Sequence, residues 1–191
     1  MSHTISVGRV NSYKPSDMAA ASAEIASLVA KQEAQLRFVK FDADVAWRVG
    51  TSVRDTFLAA RETGVHPSNA GIVVHIETFT GHTLFSCAVG SAPAVGPDNW
   101  LWVRGKLNVV KRFNVSSLRK GREIAAKGQT PEEKGLHFPE YACHGGAFPI
   151  WIAGCDAAPV GAIVVSGLPQ LDDHQLIVDS LAQAQDLFTS A

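Results

Sequence analysis

The first fourteen positions are polar and irregular, so residues 1–15 read as an arm that is ordered only where something holds it. From Ser16 or Asp17, either of which can cap a helix, Met18, Ala21, Ile25, Leu28 and Val29 recur on one face and predict a helix to about Gln35. Residues 36–41 predict a short strand. Asp42 or Asp44 then caps a second helix, in which Ala46, Val49, Val53 and Phe57 are three and four apart; Gly64 closes it. Ile72, Val74 and Ile76 alternate with Val73, His75 and Glu77, which is the two-residue period of a strand. Thr80-Gly81 turns the chain, and residues 84–89 return as the second arm of a hairpin. This period places His75 and Glu77 opposite Ile72, Val74 and Ile76, where a solvated pair is expected rather than an oligomer interface.

Helical spacing is strongest after Pro97 and Asp98, which suit a first helical turn. At 100° per residue, Trp102, Val103, Leu107, Val109, Val110 and Phe113 form an apolar stripe, with Arg104, Asn108, Lys111 and Arg112 on the other side. Lys106 falls inside the stripe, between Trp102 and Val110. A cation there either packs its stem on Trp102 with the ammonium in solvent, or points into a cleft where an anion binds. Asn114, Ser116 and Ser117 then break the chain and cap a shorter helix over 118–126, followed by a long polar loop over 128–140. Strands over 148–153 and 159–166 flank the turn Gly154-Cys155-Asp156. Asp172 or Asp173 caps a last helix that buries Leu176, Ile177, Leu181, Ala184 and Leu187.

Composition changes this picture in two places. With 191 residues, 46% hydrophobic and 18% charged, residues 16–191 suffice for one domain without disulfides or metal, and no internal repeat or boundary divides them. The net charge of −1 argues against general nucleic-acid binding. Positive charge is nonetheless concentrated. No acidic residue stands between Asp98 and Glu123, while Arg104, Lys106, Lys111, Arg112, Arg119, Lys120 and Arg122 do. No apolar run is long enough to span a bilayer, and the amino terminus lacks a basic region before an apolar one, so membrane insertion is not expected and a cytoplasmic location is. Cys87, Cys143 and Cys155 form no C-x-x-C pair, and Cys143 with His144 and His137 matches no closed zinc site, so no metal is expected. Phosphate-loop, dinucleotide, nucleophile-elbow and H-E-x-x-H signatures are all missing, and no catalytic residue is assigned.

Four segments occur in a telling order: FDADVAWRVG (41–50), PDNWLWVRGKLNVVKRFNVSS (97–117), HGGAFPI (144–150) and VSGLPQLDDH (165–174). Together they resemble the uncharacterised-protein branch of the GlcG/HbpS-like family, often labelled haem-degrading or haem-binding, over about residues 20–188. Gly105 stands where that branch usually carries a second arginine. The resemblance implies an α/β (α+β) profilin-like sandwich, an antiparallel sheet of about five strands flanked by helices. It also implies a closed homo-oligomer, from dimers to rings. Some relatives bind haem or related tetrapyrroles, some sit beside glycolate or cobalamin pathways, and a yeast relative is linked to tail-anchored protein delivery.

Three functions are then expected to compete. In the first, a small anionic ligand is held by Arg104, Lys106 and Asn108, with backbone N–H groups of Gly145 and Gly146 forming a nest, and with His144 and His174 as acid/base groups or haem ligands. In the second, the basic helix contacts another subunit or a protein partner, Trp100, Trp102 and Arg104 form the contact, and Lys106 pairs across the interface with Glu77 or Asp173. The third is haem degradation, which needs an iron ligand in an apolar slot. Binding at or near a subunit interface is the favoured expectation.

Overall fold

A computed structural model describes residues 6–188. Among these are five α-helices and four strands: α1 (Ser22–Gln35), α2 (Ala43–Glu62), β1 (Ile72–Thr78), β2 (Thr83–Val89), α3 (Asp98–Phe113), α4 (Ser117–Ala125), β3 (Ala147–Ile150), β4 (Gly161–Ser166) and α5 (Gln170–Gln183). The strands form one antiparallel sheet in the order β2-β1-β4-β3. The protein is therefore α+β with four strands, not five. Residues 36–41 fail to make a strand because Phe38 and Val39 turn their hydrogen bonds to two different segments. The Phe38 N–H donates to the Trp151 carbonyl at 2.8 Å and its carbonyl accepts from Ala153, while the next N–H, of Val39, donates to Leu187 at 3.0 Å. The phenyl ring of Phe38, fully buried, is wedged between Phe41 and Phe188. No helix of the described residues is long and apolar enough to cross a membrane.

Both faces of the sheet are covered. Ile72, Val74, Ile76, Ile163 and Val165 pack with Val49, Val53 and Phe57 of α2 and with Ile177 and Leu181 of α5. On the other face, Val73, Ala147, Ala162 and Val164 meet Val103, Leu107 and Val110 of α3. The expectation that His75 and Glu77 are solvated is corrected here. They share the face of Val73, α3 lies over it, and they are only 6% and 8% exposed. Alternation along β1 separates two buried faces, which a polar side chain on one of them disguises.

The start of the last helix is also corrected. α5 begins at Gln170, so Asp172 and Asp173 lie within its first turn, and Asp173 Oδ1 accepts from the N–H of Leu168 at 3.0 Å. α1 begins at Ser22 because residues 14–21 form successive turns, and the Ser16 hydroxyl donates to Asp17 rather than capping the helix. Asp42 and Ser116 do cap, accepting from Val45 and Arg119. Ahead of α1, residues 8–11 are held along the core. The Val10 N–H donates to Gln175 Oε1 at 2.7 Å, Gln32 Nε2 donates to the Gly8 carbonyl at 2.6 Å, and the Val10 side chain is fully buried. Residues 1–5 of the expected arm lie outside the described residues.

Candidate functional site

Lys106 sits on the buried side of α3, 3% exposed. Nζ does not reach bulk solvent beyond the helix and instead donates to Asp173 Oδ2 at 2.7 Å and to the Val165 carbonyl at 2.9 Å. The pair forms within one chain, between α3 and the first turn of α5, so the expected partner is right in residue but is not supplied by a second subunit. Burial raises the Asp173 carboxyl above the ordinary carboxylate range, and Lys106 together with the Leu168 N–H pulls in the opposite direction. Gly146 makes room for the ammonium. Its φ is +118°, and a Cβ there would stand 2.6 Å from Lys106 Nζ and 3.0 Å from Asp173 Cβ. Two N–H groups of the ammonium are thus engaged, and the third has no protein acceptor among the described residues.

The same lysine forms part of the wall of a cleft of about 270 Å³, shared with Asn99, Trp102, His144, Ser166 and Gln170. Asn99 is fixed at both ends, accepting from the Gly96 N–H at 2.8 Å and donating to the Ser166 carbonyl at 3.4 Å. His144 is exposed at the mouth, with its ring edge-on to Trp102 at a centroid distance of 5.2 Å. The protein packed round its inner side, with Lys106 and Arg122 nearby, lowers its pKa from the usual 6.5, so it is a neutral imidazole at pH 7. The positive charge of Lys106 is matched by Asp173. The cleft is consequently polar but close to neutral, with donors from an ammonium, two amides and an imidazole.

The other expected residues go elsewhere. Arg104 and Asn108 share a face, yet they grip different partners. Arg104 Nη1 lies 3.3 Å from Glu77 Oε1, and Asn108 Nδ2 donates to the Glu140 carbonyl at 2.8 Å. Gly145 backs onto the start of α5, where any Cβ would overlap the Gln170 carbonyl, so its role is close approach of two backbones. His174 is fully buried beside Phe148 and does not reach the cleft. Gln32 Nε2 is held by the Gly8 carbonyl, so Gln32 Oε1 must accept, and the 2.8 Å contact makes His174 the Nε2–H tautomer. Its Nδ1 is then a buried acceptor with no partner among the described residues. Burial, reinforced by Lys106, pushes this imidazole down to about 3.

The pair expected at His75 and Glu77 forms, but buried and with two further contacts not foreseen from sequence. The His75 Nε2 meets Glu77 Oε2 at 3.0 Å, its Nδ1 meets Ser86 Oγ at 3.2 Å, and Trp100 stands edge-on over the ring. Ser86 is directly across the β1–β2 ladder from His75, which a hairpin reading could have paired. Gly105, for its part, is buried against the 139–142 segment, where a Cβ would come within 2.8 Å of the Pro139 carbonyl. An arginine cannot occupy that position without moving the loop.

A model of the family described as "Haem degrading protein HbpS-like" matches residues 41–182. A UPF0303 protein of Edwardsiella ictaluri is 40% identical over 163 residues, 85% of this chain and 95% of that protein. One from Rhizobium etli is 41% identical over 165 residues, covering 85% and 92%. Among solved structures, the yeast Ybr137w protein superposes with a TM-score of 0.71 at 30% identity, over 84% of this chain and 87% of that one. A double mutant of Streptomyces reticuli HbpS superposes with a TM-score of 0.50 at 21% identity, over 75% and 86%, a likeness of fold. The chain belongs to the HbpS-like family, in its UPF0303 branch.

Proposed function

We propose that the chain binds a small carboxylate-bearing molecule in the cleft between α3, the Gly145-Gly146 turn and the start of α5. The single observation that supports this is the third N–H of Lys106, a donor without a protein acceptor on a lysine that forms the wall of a polar cleft. An unmet donor in a confined site favours a hydrogen-bond acceptor from the ligand. Because Asp173 already matches the lysine's charge, the ligand is recognised by hydrogen bonds from Lys106, Asn99, Gln170 and His144 more than by a net field. A volume of about 270 Å³ lies just below the range of pockets for drug-sized molecules and suits a small metabolite-sized acid.

These residues do not fit a haem. His174 is enclosed and its Nε2 is engaged with Gln32, while the cleft that His144 borders is small and sets only Trp102 and Leu168 as large apolar groups beside an ion pair and two amides. The test is a titration of isotope-labelled protein with acetate, oxalate and succinate. The expected result is saturable shifts of the His144 imidazole and Trp102 indole with at least one acid, lost when Asn99→Ala and Gln170→Ala are combined. Shifts that stay linear with concentration, or that persist in the double variant, remove the reading.

A second reading concerns assembly. Trp100 and Leu101 are 41% and 47% exposed on the outer side of α3, next to Arg104. This apolar pair beside a cation supports self-association through the first half of α3. Sedimentation velocity is expected to show an oligomer that Leu101→Asp dissociates into smaller species; an unchanged distribution sets the reading aside.

A further inference from the structure

A second cleft, about 240 Å³, opens between the end of α3, one side of α4 and the loop that follows α4. Arg112, Lys120, Lys127 and Lys134 line it, against the single carboxylate of Glu123. Glu123 is held away from the four cations, its Oε1 accepting from Arg119 Nε at 2.8 Å. Arg119 also binds the buried Glu33, so Arg119 with its two carboxylates carries one net negative charge, and four cations against that one leave an excess of three positive charges. The four cations have no carboxylate partner among the described residues. Two of them rest on aromatic faces instead. Arg112 lies 5.3 Å from the Phe113 centroid and 5.0 Å from that of Tyr141, and Lys120 lies 4.1 Å from Phe113.

Cations at helix ends are ordinarily explained by the macrodipole, and Arg112, in the last turn of α3, suits that account. Lys120 and Lys134 do not. Lys120 is in the middle of α4, and Lys134 is in a short 3-10 turn of the loop. The loop's own acids, Glu132 and Glu133, stay off the cleft wall. The floor is apolar, made by the buried Ile124 and Leu136. Like charges gathered round an enclosed apolar floor repel one another, and the cost is relieved by a multiply charged anion.

We propose that this cleft is a second ligand site, separate from the carboxylate cleft, and that it binds linked phosphates. A single phosphate brings about −1.5 to −2 charges and leaves part of the cationic ring uncompensated. A diphosphate brings enough charge to meet the α3–α4 cations and Lys134 of the loop together. The same chemistry is offered by free pyrophosphate and by a nucleoside diphosphate, whose ring would add contact with Phe113 and Leu136.

Calorimetric titrations of the full chain with orthophosphate, pyrophosphate and ADP at low ionic strength test this. Pyrophosphate is expected to bind at least about tenfold more tightly than orthophosphate, since each added charge-assisted hydrogen bond contributes on that scale. Combining Lys120→Gln with Lys127→Gln is expected to lose about tenfold or more. Lys111→Gln, on α3 but off the cleft, and His144→Ala, at the other cleft, are expected to leave the affinity unchanged. ADP binding more tightly than pyrophosphate, with the difference removed by Phe113→Leu, assigns the site to nucleotides; equal affinities assign it to the inorganic anion. No preference for pyrophosphate over orthophosphate, or an equal loss in Lys111→Gln, overturns the proposal, because a diffuse surface field would then account for all binding.

Discussion

Replacing Lys106 by alanine is expected to cost about 3–5 kcal/mol of folding stability, the range for breaking a buried ion pair from one side. Asp173 is 1% exposed, and without the ammonium its Oδ2 and the Val165 carbonyl both lose their donor at the buried end of the cleft. Asp173→Ala should be comparably damaging, since it strands the cation. The informative experiment is the double replacement, Lys106→Met with Asp173→Leu, read by urea denaturation. Two apolar groups of similar volume should recover most of the loss, because desolvating the pair offsets much of its attraction. If either single variant costs less than about 1 kcal/mol, the range of an exposed pair, then Lys106 is not enclosed as described. The double variant also separates folding from binding: it should fold while failing to respond to carboxylates.

His174 is expected to make stability fall as the solution is acidified. Its folded pKa, about 3, is depressed below the ordinary 6.5, so its contribution is fully present above pH 6.5 and is lost as pH falls toward 3. The slope is about 1.4 kcal/mol per pH unit within that window, or roughly 5 kcal/mol across it. Asp173 and Glu33 act in the opposite sense, since burial raises both carboxyls and acid then favours their folded, protonated forms. The effect of the histidine must therefore be isolated by difference. His174→Gln retains a donor toward Gln32 and does not titrate, so between pH 7 and pH 4 its urea midpoint should fall less, or rise more, than that of the unaltered protein. Equal slopes would mean that the imidazole is already solvated in the folded state.

Much of the architecture can be read from residue spacing, and the departures have specific causes. The two-residue period of β1, the caps at Asp42 and Ser116, and the stripe on α3 are local patterns, and they appear where the residues place them. Lys106 illustrates how far such a pattern reaches. Its angle marks it as a cation among apolar neighbours, and Asp173 is one of two acids expected to pair with it, yet only the packing of α3 against α5 puts both in one chain at 2.7 Å. His75 and Glu77 show the converse. Alternation identifies the two faces of a strand but not which of them another element will cover, and here α3 covers the second. Arg104 and Asn108 are correctly placed on one side of the helix, but the partners that draw them apart come from β1 and from the loop before β3. The missing fifth strand has the same origin, since Phe38 and Val39 bond to two remote segments that no local period announces.

The hydrogen-bonded run from the Gly8 carbonyl through Gln32 to His174 ties the two ends of the protein into one equilibrium. Detaching residues 8–10 frees the Gln32 amide to turn and admits water to the imidazole, so docking of that segment and proton uptake by His174 are thermodynamically linked. Any partner that peels the segment away would be antagonised by high pH and assisted by low pH, although it never touches the histidine.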